Sequence, residues 1–501
     1  MWTFLTGLVI LGVGGCLYGS FVERFFGVSD KPTPAVTKAD GVDYVPMSSW
    51  RNGLIHLLNI AGTGPILGPI QGILFGPMAF ITIPLGCILA GAVQDYMIGM
   101  ISTRNDGEQI ESLVKRFLGK HVAFYFGIFV LLAVLLFGVT CVYTPGDIFV
   151  KGVLKKSAEI NSWYLWVVYG VIFGYYLIAT LLPIDKIIGR VYPFIGGFFI
   201  FTAILLFVYI FAEKLPLKEL DPSSLWSWKQ DPVNKFFPIF FVTVACGIAS
   251  GFHATQATII SRTLTHEREG RKIFYNMMLV EGFIAMIWAA VTMGVIELYD
   301  INTTENATNM LAEIIDDVLK VFNIDNSSPH DDLVYVVGKL FSNGIDIVVI
   351  LGVIVLPITS GDTALRSCRL MAGEMLGVDQ SKPENRLKLG AAIFALTAVL
   401  LFVAKLSNSG FQLLWRYFAW ANQTIVVFSL AVATAWCIKE GKSIWVTVLP
   451  GAFYLTVTSS FILSAPIGFN LHWLVADIIA AVLALAYIIY FVNLKKMTSL
   501  R

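Results

Sequence analysis

Residues 246–253 read Cys-Gly-Ile-Ala-Ser-Gly-Phe-His in the middle of an apolar run, Phe236 to Leu264. Residues 62–65, Gly-Thr-Gly-Pro, interrupt another apolar run, Leu57 to Phe75, at the matching place in the first half of the chain. A helix broken at bilayer depth leaves backbone N–H and C=O groups that lipid cannot satisfy, so it persists only where it lines a cavity or a ligand. Two such breaks in corresponding positions point to the binding site of a secondary transporter. The alternative is a pair of packed Gly/Pro kinks, since both residues are common in membrane helices.

The rest of the chain supplies the membrane. Of its 501 residues 56% are hydrophobic and 14% charged, where a soluble protein would carry about 25% charged. Apolar spans near 2–20, 52–76 (broken), 77–101, 122–144, 162–182, 190–212, 236–262 (broken), 272–297, 335–358, 385–404, 416–438, 444–464 and 473–494 predict an all-α polytopic membrane protein. That is about thirteen transmembrane helices by length. The second break comes five helices after the first, the layout of a LeuT-like five-plus-five inverted repeat with two broken helices. The chain then reads as a single transporter domain over 1–501 with its repeat core at 52–438, an extra N-terminal helix at 2–20 and two additional C-terminal helices at 444–494. No Lys or Arg precedes the run at 2–20, so it is taken as a retained helix and not a signal peptide.

With the N-terminus outside and the C-terminus cytoplasmic, most of the Lys and Arg, including Lys115, Arg116, Arg262, Arg268 and Arg386, fall on the inside, as the positive-inside rule requires. The loop near 298–334, rich in Asp and Glu, falls outside. Residues 105–118 predict a short amphipathic helix along the inner surface, with Ile110, Leu113, Val114 and Phe117 on one side. The six cysteines, among them Cys246, are scattered without CxxC spacing and read as buried free thiols. No metal site, cofactor motif, Walker loop or nucleic-acid-binding basic domain is present in the sequence pattern.

The functional candidates follow from the breaks. Unwinding frees N–H groups whose positive dipole end attracts a carboxylate, and carbonyls that bind cations. Gly62, Thr63, Gly64, Gly247, Ser250 and Gly251 are therefore substrate-site candidates. Ionisable groups inside the membrane are functional hypotheses by default. His253 suits proton coupling, against a structural histidine bonded to a freed carbonyl; His56 carries the same ambiguity. Glu281 lies well inside its span, whereas Asp95 near the inner face reads more simply as a capping or ion-pairing group. Asp362, Arg366 and Arg369 share a helical face on which Asp362 can pair with Arg366. Thr359 and Ser360, if they face the first break, suit a sodium site built of oxygens; the alternative is a helix end anchored by charges. Asn422 and Gln423, polar within a span, are expected to bond to the broken helices or to act as interhelical glue.

At these same residues the chain resembles the carbon starvation protein A family (peptide transporter carbon starvation). The matching blocks are Asp40-Gly41-Val42-Asp43-Tyr44-Val45-Pro46, Ile60-Ala61-Gly62 through Pro65 with Gly68-Pro69, and Leu89 to Asp95. Further blocks are Cys246-Gly247 with Ser250 to His253, Glu281-Gly282-Phe283, the Asp362, Arg366, Arg369 cluster, and Ala421-Asn422-Gln423. Two positions depart from the family pattern. Only His56 remains of a common histidine pair, and Asn59 stands where alanine is common. The resemblance implies a bacterial inner-membrane transporter induced in starvation, taking up peptides or pyruvate, driven by protons. The expectation is thus a secondary active transporter in the lipid bilayer. Substrate is held by Gly62, Thr63, Gly64, Gly247, Ser250, Gly251 and Asn422, with His253, Glu281, Asp362, Thr359 and Ser360 for the coupling ion, a proton or else sodium. The alternatives are a polytopic membrane enzyme using Asp362 and a non-transporting nutrient sensor.

Overall fold

Backbone in lipid must satisfy its own hydrogen bonds, and these Leu-, Val-, Ile- and Phe-rich runs do so as helices. The computed structural model describes residues 1–62, 64–154, 156–181, 188–212, 214–220, 236–244, 246–298, 345–380, 382–406 and 410–499. The helices are α1 (Trp2–Phe26), α2 (Ser49–Ile60), α3 (Gly64–Gly72), α4 (Phe75–Arg104), α5 (Ile110–Leu118), α6 (Lys120–Ile148), α7 (Trp163–Leu181) and α8 (Ile188–Ala212). They continue with α9 (Phe236–Thr243), α10 (Gly251–Ile260), α11 (Asn276–Leu298), α12 (Ile345–Leu376), α13 (Pro383–Lys405), α14 (Gly410–Lys439), α15 (Trp445–Ser464) and α16 (Trp473–Ser499). Among the described residues there is no strand. Nine helices there are long and apolar enough to cross a membrane, and the bent pair α2–α3 makes a tenth. Residues 299–344, with most of the expected acidic loop and the start of the span at 335–358, lie outside the described residues.

Both expected breaks are present. The axis bends by 71° between α2 and α3, and non-helical backbone over 246–250 separates α9 from α10. The four half-helices form the centre: α3 packs on α9 and α11, α10 on α2, α4, α12 and α14. In α14 89% of the most apolar stretch is buried, against 17% in α16, which packs chiefly on α15. The last helix therefore lies at the rim, where Leu474, Ile478, Val482, Leu485 and Ile489 face outward, as expected of a lipid-facing surface.

Two local expectations are corrected. In α5, Ile110, Leu113 and Val114 are fully buried against α6 and α14, together with the nearly buried Glu111. Its apolar side thus faces protein and not lipid, since the same amphipathic pattern serves either surface. Of the cysteines, all free, Cys16 is exposed and the other five are buried.

Candidate functional site

At the first break Ala61 leaves helical geometry (φ −79°, ψ 61°) while its N–H still donates to Leu57 O at 2.7 Å. Ser360 of α12 faces this break: its hydroxyl donates to Leu58 O (3.1 Å) and Asn59 O (3.3 Å). Thr359 beside it donates back to Leu356 O in its own helix, at 2.8 Å. Thr63 lies outside the described residues.

At the second break other spans satisfy the freed backbone. The Phe252 N–H at the start of α10 donates to Asn422 Oδ1 at 2.7 Å, and the Ser250 hydroxyl donates to the same oxygen at 3.1 Å. Gln94 Nε2 of α4 donates to Ser250 O (2.7 Å), and Gln423 Nε2 donates to Phe241 O (2.6 Å) near the end of α9. Asn422 is thus an N-cap supplied from α14, doing what Ser, Asn or Asp does from within a chain at an ordinary helix start.

The two breaks touch. A Cβ built on Gly64 would lie 2.1 Å from Cys246 Sγ and 2.3 Å from its Cβ, so only glycine fits. Gly247 sits at φ +89°, a left-handed conformation that favours glycine, and a Cβ there would lie 2.5 Å from the Ala285 methyl of α11. Gly62 packs on Ser360 and Gly251 on the Asn422 carbonyl. In this conformation the expected substrate-contacting glycines meet protein groups.

A chain of buried ionisable side chains runs alongside. His56 Nε2 is 3.4 Å from Asp95 Oδ2, the same oxygen is 3.5 Å from His253 Nδ1, and His253 Nε2 is 3.5 Å from Glu281 Oε2. All four are fully buried, and none of their side-chain N or O atoms has a hydrogen-bond partner among the described residues. Cys246 Sγ joins His253 and Glu281 within 4.8 Å. The side chain of Asn59, fully buried one turn before the first break, also has no hydrogen-bond partner for either polar atom among the described residues. The sequence suggests a capping or ion-pairing role for Asp95 near the inner face and marks Asn59 only as a departure; the structure places Asp95 between two imidazoles, an ion-pairing position.

Asp362 is buried on α12, where Oδ2 accepts from Tyr192 (3.1 Å) and Tyr175 (3.5 Å) and Oδ1 has no hydrogen-bond partner among the described residues. The expected Asp362–Arg366 pair is replaced. Arg366 Nη1 and Arg369 Nη2 both approach Asp43 Oδ1 at 3.4 Å, and Arg366 also donates to Ala179 O. Tertiary partners outbid the weak i, i+4 preference of an isolated helix. Burial by itself would raise the Asp43 carboxyl, but Arg369 and Arg366 outweigh it and hold the group below its ordinary range. The segment carrying Asp43 is fastened further by Met47 N–H to Thr263 O (3.1 Å) and by Thr33 Oγ1 to Leu264 O (2.5 Å), just beyond α10.

Against known proteins, residues 1–159 and 137–461 match the family described as Carbon starvation protein CstA. The chain belongs to that family. A membrane protein of Haemophilus influenzae is 38% identical over 58% of this chain and 90% of its own length. The peptide transporter CstA of Escherichia coli is 24% identical over 91% of this chain and 80% of its own length. The pyruvate/proton symporter BtsT of the same organism is 24% identical over 86% and 76%. Among solved structures, a manganese transporter of Eremococcus coleocola superposes with a TM-score of 0.59 over 92% of this chain and 99% of its own, at 12% identity. The transporter MhsT in complex with L-phenylalanine gives 0.55 over 89% and 98%, at 14% identity. The fold is therefore that of LeuT-like transporters, and the chain is a multi-pass membrane protein. The chain's family and its named relatives are transporters, so the alternative of a membrane enzyme working through Asp362 falls away.

Proposed function

We propose that this CstA-family protein is a secondary active transporter that takes up small carboxylate-bearing solutes by alternating access, peptides in the first place. The contact between the two breaks carries this reading. Two interrupted helices meet at Gly64 and Cys246, and their backbone is held by side chains from α4, α12 and α14 that can let go. A substrate carboxylate entering between them takes over from Asn422 the N–H of Phe252 at the dipole end of α10. Gly62, Thr63, Gly64, Gly247, Ser250 and Gly251 then offer backbone to the cargo, and Asn59 offers an amide that has no hydrogen-bond partner among the described residues. The five-plus-five repeat with about thirteen spans, the bacterial inner membrane, an outside N-terminus and a cytoplasmic C-terminus complete the proposal.

Coupling is assigned to a proton on Asp362. A buried carboxyl with one oxygen hydrogen-bonded and the other without a hydrogen-bond partner among the described residues takes up a proton without rearranging its neighbours. Thr359 and Ser360, within one turn of Asp362, are where sodium would sit if sodium replaced the proton; the Ser360 hydroxyl faces the first break, and that of Thr359 would have to leave Leu356 O. His253 and Glu281 form a second cation position beside the second break. A thermal-shift screen of the purified protein against di- and tripeptides and short organic acids tests the substrate class. A saturating ligand at a hundred times its Kd stabilises by about 2.7 kcal/mol. Stabilisation by peptides supports the proposal. Stabilisation by pyruvate alone favours the second reading, drawn from the pyruvate/proton symporter among the relatives. Stabilisation by neither class refutes both.

A further inference from the structure

Cys246, His253 and Glu281 come from three different places: the non-helical second break, the first turn of α10 and the second turn of α11. One ligand atom of each lies within 4.8 Å of the others, and His253 Nε2 and Glu281 Oε2 are 3.5 Å apart. Bound tetrahedrally at zinc-like distances, a nitrogen and an oxygen ligand are about 3.4 Å apart and a thiolate lies about 3.6 Å from either. At 3.5 Å the imidazole and carboxylate are already near their separation, and the thiol needs to close by about 1.2 Å at most. We propose that these three side chains bind a thiophilic divalent transition-metal ion, with zinc as the reference ion.

Several observations converge. His253 and Glu281 are completely buried, and none of their side-chain N or O atoms has a hydrogen-bond partner among the described residues. Polar groups left so in a low-dielectric interior are costly, and one metal ion would satisfy both together with the thiol. The charges balance: a thiolate and a carboxylate neutralise a divalent ion while the imidazole stays neutral. A sulfur, a nitrogen and an oxygen select a borderline-soft metal over magnesium or calcium. Three protein ligands leave a fourth position open. The outer shell is also present, because His253 Nδ1 faces Asp95 at 3.5 Å, the carboxylate–histidine–metal arrangement that fixes a ligand ring. Gly247 at φ +89°, pressed on Ala285, holds the cysteine loop against the helix that carries Glu281. The ion would tie the break to α10 and α11 and so restrain the movement of the second broken helix. Binding itself does not depend on what the protein transports.

The test uses the full-length protein in detergent, stripped with a chelator and titrated with Co2+. The expected result is one equivalent bound, with a thiolate-to-cobalt charge-transfer absorption and the ligand-field bands of a four-coordinate ion, both displaced by Zn2+. Cys16→Ser keeps the charge-transfer band and Cys246→Ser loses it, while both elute as folded protein in size exclusion. Asp95→Asn, which leaves all three ligands in place, lowers Co2+ affinity roughly ten- to hundredfold. Should Cys246→Ser fail to fold, Glu281→Gln serves in its place and is expected to weaken binding while the sulfur band persists at saturation. Absence of saturable binding in the wild-type protein overturns the proposal. So does bound cobalt without the sulfur band, or a band that Cys246→Ser leaves intact.

Discussion

Alanine at position 64 would drive a methyl carbon to 2.1 Å from Cys246 Sγ and 2.3 Å from Cys246 Cβ. Carbon contacts in proteins settle near 3.5–4.0 Å, so one break must retreat by about 1.5 Å. Neither side yields easily: α3 is already seated on the end of α9, where a Cβ on Gly68 would lie 2.9 Å from Thr243 O. Overpacking of this kind costs about 1–3 kcal/mol, and backbone on both sides places Gly64→Ala at the upper end. Cys246→Gly removes both clashing atoms, at a cost of about 0.5–1 kcal/mol for the added chain freedom. The double variant Gly64→Ala/Cys246→Gly should therefore be more stable than Gly64→Ala alone by about 1–2 kcal/mol, where additivity would make it less stable; with the cost of Cys246→Gly alone included, the coupling is about 1.5–3 kcal/mol, of the size found between residues in contact. Apparent melting temperatures, followed by tryptophan fluorescence of detergent-solubilised protein, give the four corners of the cycle. Strict additivity of the two substitutions, or a Gly64→Ala protein as stable as the wild type, would refute the direct contact between the two breaks.

Four further outcomes are expected. Asn422→Leu leaves the Phe252 N–H and the Ser250 hydroxyl buried without their acceptor and should cost about 2–4 kcal/mol, whereas Asn422→Asp, which keeps the acceptor, should recover part of the loss in the same melting assay. Asn59→Ala removes a buried amide that has no hydrogen-bond partner among the described residues, so the ligand-free protein should be no less stable while the ligand-induced thermal shift shrinks; an unchanged shift would remove Asn59 from the site. Asp362→Asn should abolish accumulation driven by a pH gradient but leave substrate binding in the thermal-shift assay, and full gradient-driven accumulation by this variant would exclude Asp362 as the proton carrier. The folded Asp43 carboxyl lies below its ordinary 3.8, so its contribution is present above that value and is lost as pH falls through the folded one; Asp43→Asn should lower the melting temperature at pH 7, with the gap to wild type closing in strong acid.

The features legible in the sequence are those written in one segment. Gly, Ser and Pro inside an apolar run announce a break, and an Asn-Gln pair within a span announces a partner for it; Asn422 and Gln423 do bond to the second broken helix. What depends on how helices cross is not written there. His56 and Asp95 belong to different spans, and nothing in either segment says that their side chains lie 3.4 Å apart. Asp362 and Arg366 show the converse. Helical spacing allows the pair, but the loop that brings Asp43 and the helices that bring Tyr175 and Tyr192 decide the partners. The α5 pattern likewise could not distinguish lipid from the protein surface that covers it.

Uptake into proteoliposomes holding only this chain, with an inward proton gradient imposed, is the most direct measurement of whether the two facing breaks form a driven pathway. Labelled dipeptide or pyruvate should accumulate above its external concentration and leak back when the gradient is dissipated. Substrate that binds but only equilibrates, whichever proton or sodium gradient is applied, would contradict coupled transport.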